Sequence, residues 1–164
     1  MTDKIMVKKI SLKVNKFFLL TALLLCCSCD GVLFYDFCTV ETDGWHRNDV
    51  LEYVYEKDFV KDTTVHFSVD TRTVASYPYK DIVVSVEALD TMGTVFYKDT
   101  LTCAVYDDDG RRVGHTVGLM YQQSSESIEI LLPHNKTILH VTHLMSDSTL
   151  HGVSDIGIRI CRKN

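Results

Sequence analysis

The sequence lacks every short motif that would identify a common catalytic centre. It contains no G-x-S-x-G nucleophile elbow, no H-E-x-x-H zinc helix, no phosphate-binding loop and no glycine-rich dinucleotide motif. The only plausible general bases are seven histidines, and none stands in a recognisable pattern: His46, His66, His115, His134, His140, His143 and His151. We therefore expect a protein that is not an enzyme and that holds no metal or cofactor.

The acidic run Asp107–Asp109, followed by Gly110, invites comparison with a calcium loop. An EF-hand aligned on these residues would place Val105 at its first position and Thr116 at its twelfth, where carboxylates are required. The run therefore predicts a polar hairpin turn, and a weak surface calcium site is the alternative.

The sequence also lacks an apolar run of membrane-spanning length, about 20 residues. The run Phe17–Cys27 is too short, and it follows a leader that carries five lysines: Lys4, Lys8, Lys9, Lys13 and Lys16. This arrangement predicts a secretory signal peptide. An uncleaved anchor is the weaker alternative, because Asp30 and Gly31 end the apolar run too early.

The segment Leu25–Cys29 resembles a bacterial lipobox, in which a small residue precedes a cysteine that takes a diacylglycerol. We predict residues 1–28 as a signal peptide that is removed, 29–32 as the lipid anchor and a short tether, and 33–164 as one domain. Several acyl chains on Cys29 would anchor the protein to a membrane effectively permanently. An ordinary signal peptide without lipidation is the alternative.

Basic residues are scarce once the predicted leader is removed. Cleavage takes five of the 17 Lys and Arg but only one of the 22 Asp and Glu, so the remainder has 12 basic and 21 acidic residues and a formal charge of −9. Such an acidic domain offers no evident basic face for phosphate contacts. We therefore expect no nucleic-acid partner, and we expect the lipid to provide the membrane attachment.

Few cysteines remain in the predicted domain, namely Cys38, Cys103 and Cys161. In an oxidising envelope they permit at most one internal disulfide, in any of three pairings. The alternative is that all three are small buried residues. No pair has the C-x-x-C spacing typical of zinc or redox sites, so neither function is expected.

Alternation of apolar and polar residues dominates the predicted domain and indicates half-buried strands. It is clearest at Val65–Val69, Ile82–Ala88, Leu101–Val105, Ile128–Leu132 and Ile156–Ile160, and weaker at Leu33–Val40, Val95–Tyr97, Val117–Tyr121 and Ile138–Thr142. Turn residues separate these segments at Asp90–Gly93, Asp109–Gly110 and Pro133–Lys136. The pattern predicts an all-β fold, a single antiparallel β-sandwich domain.

Two segments are harder to assign. Val50–Val54 follows Asn48 and Asp49, so it fits one or two turns of a capped helix as well as a strand. Gly152–Gly157 is expected to form a turn into the last strand.

The aromatic residues suggest a binding surface. Trp45 is the only tryptophan, and Pro78 holds Tyr77 and Tyr79 at the entrance of a predicted strand. If exposed, the three rings and Pro78 would form a partner surface or stack on a glycan. The alternative is that the rings close one end of the sandwich core.

Several blocks of residues spread over the predicted domain form a pattern: Trp45, Arg72, Tyr77–Tyr79, Asp107–Gly114, His143–Met145, Leu150, Gly152, Val153, Asp155, Ile156 and Gly157. Together they resemble the gliding motility lipoprotein family GldH. The resemblance covers most of the domain, and the lipobox at Cys29 agrees with it. The chain departs from the expected pattern at Lys80 and Asp81, where Ser and Asn are expected, and at Ser146, where Arg is expected.

The resemblance implies a Bacteroidota envelope lipoprotein linked to the gliding machinery and its associated protein secretion system, without enzymatic chemistry. Its expected partners are proteins of that machinery, reached through an edge strand or an aromatic surface. The absence of an acidic tract after Cys29 favours a periplasm-facing position. A glycan-binding lipoprotein is the alternative function.

The resemblance also implies candidate O-glycan acceptors. In this phylum a D-[ST]-x triplet can accept an O-linked glycan, and four short triplets fit: Asp62–Thr64, Asp90–Met92, Asp99–Leu101 and Asp147–Thr149.

Overall fold

A computed structural model describes residues 31–56 and 62–163. These residues form twelve strands: β1 Val32–Thr39, β2 Trp45–His46, β3 Leu51–Glu56, β4 Thr63–Thr73, β5 Asp81–Leu89, β6 Val95–Ala104, β7 His115–Val117, β8 Met120–Ser124, β9 Ile128–Leu132, β10 Lys136–His143, β11 Thr149–Leu150 and β12 Val153–Arg162. The predicted signal peptide and the lipid acceptor Cys29 lie outside the described residues. Within them, no helix has the length and hydropathy that a membrane crossing needs.

The strands assemble into two antiparallel sheets. The six-stranded sheet has the order β1-β12-β4-β8-β7, with β9 paired to β4 beyond β8. The four-stranded sheet has the order β3-β10-β5-β6, and β2 and β11 form a short two-stranded ribbon. The predicted all-β antiparallel sandwich is therefore confirmed.

The alternation seen in the sequence positions the core between the sheets. On β4, Val65, Phe67 and Val69 are fully buried, and on β10 buried and half-buried residues alternate from Thr137 to His143. Successive side chains of a strand point to opposite faces, so each strand contributes every second residue to the core. Full burial of such an aliphatic or aromatic side chain contributes about 1.5–3 kcal/mol.

Some predicted segments differ from the observed strands. Val117–Tyr121 is a hairpin rather than one strand, because the chain reverses at Gly118, whose φ of 62° suits glycine. Val95–Tyr97 and most of the segment Leu101–Val105 belong to one continuous strand, β6. The ambiguous segment after Asp49 is a strand, β3.

The expected turn at Gly152–Gly157 is shorter than predicted. The turn ends at Gly152, and β12 begins at Val153. Gly157 lies within β12, where it pairs with Phe37 and Asp70. Only glycine fits there because the Phe37 ring occupies the space of a side chain, and a Cβ atom would lie 2.5 Å from its nearest ring carbon.

The three cysteines of the domain are free thiols. Cys103 is fully buried, whereas Cys38 and Cys161 are half-buried. No disulfide forms among them, and only Cys103 is fully packed into the core as a small apolar residue.

The register of the strands divides the connections between two ends of the sandwich. β1 begins at Val32, and its last residue, Thr39, lies about 23 Å away at 3.3 Å per residue. We call the end near Thr39 the far end. It gathers the segments 40–50, 74–80, 105–114 and 144–152, because β4, β6 and β10 end there and β3, β5 and β12 begin there.

Candidate functional site

The far end carries every residue that was predicted as a binding surface, but two of the rings are buried. Trp45 is 1% exposed, and its indole N–H donates to the Asp49 carbonyl at 3.1 Å. Tyr77 is also 1% exposed, and its hydroxyl donates to the Asp81 carbonyl at 2.9 Å. Burial raises the pKa of Tyr77 far above its ordinary value, so the phenol stays neutral. These two rings close one end of the core, which is the alternative that the sequence left open beside an exposed surface.

Pro78 and Tyr79 remain at the surface. Pro78 is exposed, and the half-buried Tyr79 ring packs edge-on against Tyr77 with 5.6 Å between ring centroids. The Tyr79 hydroxyl donates to the carboxylate of Asp147 on the facing loop. An exposed row of three stacking rings is therefore not formed, and a glycan platform would retain Tyr79 alone.

His143 is a buried polar ring at the far end of β10. Its ring packs edge-on against Trp45, with 5.2 Å between centroids. Neither ring nitrogen makes a well-formed hydrogen bond within the described chain. The nearby Trp45 backbone favours the protonated ring, but desolvation has the larger effect on the pKa. Desolvation lowers the pKa of His143, so the imidazole is neutral at pH 7. A neutral ring behind Trp45 is suited to packing rather than to proton transfer.

Arg47 organises the facing loop, a role that sequence reasoning missed. Its Nη2 donates to the carbonyls of Met145 at 2.8 Å and Asp147 at 3.2 Å, and also to that of Ser146. The Arg47 backbone N–H donates to the Ser148 carbonyl at 2.8 Å. No local pattern marks an arginine that binds carbonyls about 100 positions away, so only the tertiary structure reveals it.

A polar cleft opens beside Arg47. Its volume is about 530 Å³, and six polar residues line it: His46, Arg47, Asn48, Ser146, Ser148 and Thr149. The His46 ring is already engaged by Asp43 at 3.2 Å and by the Thr149 hydroxyl at 2.9 Å. The cleft therefore offers hydrogen-bonding groups to a partner, with the His46 ring held at both nitrogens.

The acidic run at the far end forms the predicted turn. One Asp107 oxygen accepts from the backbone N–H groups of Asp109 at 3.0 Å and Arg111 at 2.7 Å, and Gly110 adopts a φ of 76°. Asp108 pairs with Lys80 at 2.6 Å. The carboxylates thus serve the turn and surface ion pairs, and no cluster of three metal-ligating side chains occurs in the part of the chain that the structure describes.

The two long sides of the sandwich, which we call its seams, differ in whether side chains fill the gap between the two sheets. On the closed seam, where β1 meets β3, the rings of Phe34 and Tyr55 pack edge-on at 5.7 Å. The hydroxyl of Tyr53, which is 2% exposed, donates across the sheets to the Ile156 carbonyl at 2.6 Å. On the open seam, β6 faces the other sheet across a groove of about 490 Å³.

The described residues define an antiparallel β-sandwich domain whose polar groups at the far end are tied into turns, loops and the core. The chain belongs to the GldH lipoprotein family, whose match covers residues 32–160. Membership makes the protein a membrane-anchored lipoprotein of the cell envelope. The blocks of residues that carried the resemblance lie far apart in sequence, and most of them meet at the far end.

Three of the solved structures that match this chain show a distant likeness. A CocE/NonD family hydrolase from Staphylococcus aureus shares 11% identity at a TM-score of 0.35, with 82% of this chain and 32% of the hydrolase covered. The VP2 subviral particle of infectious bursal disease virus shares 9% identity at 0.36, with 79% and 32% covered. Eiger TNF from S. frugiperda shares 10% identity at 0.35, with 80% and 93% covered.

The chain thus spans about a third of the hydrolase and of the viral protein. Similarities this distant indicate no function. A search of curated proteins returns no match.

Proposed function

We propose that this protein is a non-catalytic interaction protein of the envelope, associated with the gliding machinery or the linked protein secretion machinery. A lipid on Cys29 anchors it, and the far end contacts a partner protein. The convergence of the family blocks at the far end, around Trp45, Tyr77–Tyr79 and His143–Met145, carries this proposal.

The geometry supports a division of labour along the sandwich. Cys29 precedes Val32 by three residues, so a fully extended tether between them spans at most about 11 Å. The far end lies about 23 Å further along that strand. The lipid would insert into the membrane near the start of β1, and the far end would remain accessible to a partner.

The chemistry of the far end supports a role without catalysis. The His143 imidazole is buried behind Trp45, and burial keeps the Tyr77 phenol neutral. The Asp107 carboxylate is bound to backbone N–H groups of its own turn. None of these groups is free to act as a nucleophile or general base on a bound substrate.

The test is affinity purification of the tagged, lipidated protein from gently solubilised envelopes, followed by mass spectrometry. We expect a stoichiometric envelope protein that is lost from Cys29→Ala, because the unanchored chain no longer lies beside its target. We also expect a several-fold loss from a Pro78→Ala/Tyr79→Ala variant. Leu131→Ala is the matched control, because Leu131 is 52% exposed but lies on β9, away from the far end.

Retention of the partner by the Pro78→Ala/Tyr79→Ala variant would move the interface away from the far end. Failure to recover any envelope protein with the anchored chain would overturn the proposal as a whole. A fatty-acid label that persists in Cys29→Ala would show that another residue carries the lipid.

We further propose that the domain faces the periplasm, since no acidic tract follows Cys29. Protease added to intact cells should leave the protein whole, and it should cleave the protein after the outer membrane is permeabilised. Cleavage in intact cells would instead place the domain on the cell surface.

A further inference from the structure

The strand β6 is a long sheet edge that lies open along one side. Nine of its ten residues pair with β5, all except Phe96, and no described strand pairs with its other side. An edge strand leaves alternate backbone N–H and C=O groups unpaired, which makes it a template for a further strand. The closed seam has no such opening, because β1 and β3 are tied together there by Tyr53 and by the Phe34–Tyr55 ring contact.

The groove beside β6 is built from both sheets. The segment 99–104 forms one wall, and Ser124, Glu126 and Ile128 form the other. The second wall is fixed by Ser125, whose hydroxyl accepts from the Val69 N–H at 3.0 Å where β8 ends and β9 has not begun. The Ser125 N–H also donates to the Val69 carbonyl at 2.8 Å, so this wall is held to β4 between the two strands.

The floor of the groove is the sandwich core. Leu101 is 6% exposed, and Cys103 is fully buried, with its thiol 3.4 Å from the Val69 carbonyl oxygen. The edge is therefore packed from below and does not need a partner to be stable.

The charges of the groove are of one sign. Asp99 and Glu126 line it, and no lysine or arginine does. Asp99 accepts hydrogen bonds from the Tyr97 hydroxyl at 2.9 Å and from the Thr100 N–H at 2.8 Å, and neither it nor Glu126 has an ion-pair partner among the described residues. Lys98 projects from the other face of β6 and pairs with Glu87 at 2.7 Å.

A carboxylate on the core-facing side of β6 determines which strands can be added to this edge. Asp99 lies on the same face of β6 as Leu101 and Cys103, because side chains alternate. A second copy of this chain would bring the same carboxylates and a like net charge to the edge, which disfavours self-pairing. A strand with a cationic side chain would instead be favoured by charge complementarity.

We propose that the open seam binds an extended segment of a partner protein, which adds to β6 as a further strand and places a Lys or Arg side chain against Asp99 and Glu126. Backbone hydrogen bonds along β6 provide the general affinity, and the two carboxylates provide the choice of side chain. This surface shares no lining residue with the cleft beside Arg47, so it stands independently of the interface at the far end.

The test attaches a probe strand to the complete lipidated chain. A nine-residue strand, Thr-Val-Thr-Val-Lys-Val-Thr-Val-Thr, follows Asn164 through a flexible Gly-Ser linker of about 20 residues, which spans about 25 Å and keeps the probe at millimolar effective concentration. Hydrogen exchange read by mass spectrometry follows the amides of β6. The edge strand β3 serves as the matched control.

We expect the Lys probe to slow exchange in β6 at least tenfold and to leave β3 unchanged. A probe with Glu in place of Lys should slow it less than twofold, and an Asp99→Asn/Glu126→Gln variant should remove the difference between the probes. Both residues are exposed, so this variant keeps the fold. The proposal is overturned if the Lys probe gives no protection, if both probes protect equally, or if protection appears at β3.

Discussion

The two seams of this sandwich show how one chain closes one side of its core and leaves the other available. At the closed seam, the Tyr53 hydroxyl reaches the opposite sheet and Phe34 packs on Tyr55. At the open seam, Cys103 makes the cross-sheet contact from below and Asp99 lies on the surface above it. The rings at the closed seam fill the space between the sheets, whereas the smaller Cys103 side chain and the exposed Asp99 leave a groove at the open seam.

The largest expected effect is on the closed seam. Tyr53→Ala removes a buried ring and the hydrogen bond to Ile156, so it should lower the free energy of unfolding by about 3–5 kcal/mol. Thr102→Ala on the exposed face of β6 is the control, and it should change stability by less than about 0.5 kcal/mol. Urea unfolding of the two variants measures both values. Equal destabilisation would show that the seams do not differ in packing.

The next effect concerns the attachment of β1 to its sheet. The fully buried Asp70 carboxylate accepts from the Tyr35 hydroxyl at 2.7 Å and from Arg159 at 2.6 Å, which ties β1 and β12 to β4. Asp70→Asn should cost about 1–3 kcal/mol, less than a wholly buried pair because Arg159 is partly exposed.

The control is Glu129→Gln, which breaks the exposed Glu129–Lys163 pair and should cost less than about 1 kcal/mol in the same urea assay. If Asp70→Asn lowers the free energy of unfolding no more than Glu129→Gln does, the hydrogen bonds of Asp70 do not hold β1 to its sheet.

A third, smaller effect is pH-dependent and concerns the segment that leads into β3. Burial beside Trp45 lowers the pKa of His143 in the folded state, so the unfolded chain binds more protons as the pH falls through the ordinary histidine range. Stability should therefore decline from pH 7.5 to pH 5. His143→Phe keeps a ring against Trp45 and should show a shallower decline. Urea midpoints across this range test the prediction, and parallel curves would contradict it.

The smallest effect concerns the rate at which the three thiols are labelled, which measures how accessible each seam is to a small reagent. Cys103 is fully buried beneath the open seam, and burial raises its pKa to about 12. Cys38 and Cys161 are half-buried. Iodoacetamide at pH 8 should label Cys161 in the folded protein faster than Cys38, because burial raises the pKa of Cys38, and it should label Cys103 only after unfolding. Rapid labelling of Cys103 would mean that the groove opens into the core.

Most strands could be predicted from the sequence because the alternation of Val65, Phe67 and Val69, and of similar runs, is a local property. The hairpin at Gly118 was missed because apolar residues continue through it as Leu119 and Met120, and Leu119 is exposed at the turn. Hydropathy alone does not distinguish a reversal from a continuous strand.

The site was less predictable than the fold. The sequence placed Tyr77 at the entrance of a strand, but exposed and buried aromatic residues have the same local pattern. Their burial depends on residues distant in sequence, because His143 packs against Trp45 and Gly152 lies against Tyr77. The roles of Arg47 and Asp70 had no local signal, because their partners lie between 35 and 100 positions away.

The sequence by itself determined the all-β class, the positions of the principal strands and the family, since each depends on residue pattern within short segments. Tertiary structure alone decided which end gathers the family blocks, which rings close the core and which seam stays open. The physical reason is that an edge is open or closed according to the side chains that reach it from the opposite sheet. Those side chains come from strands whose proximity only the folded chain establishes.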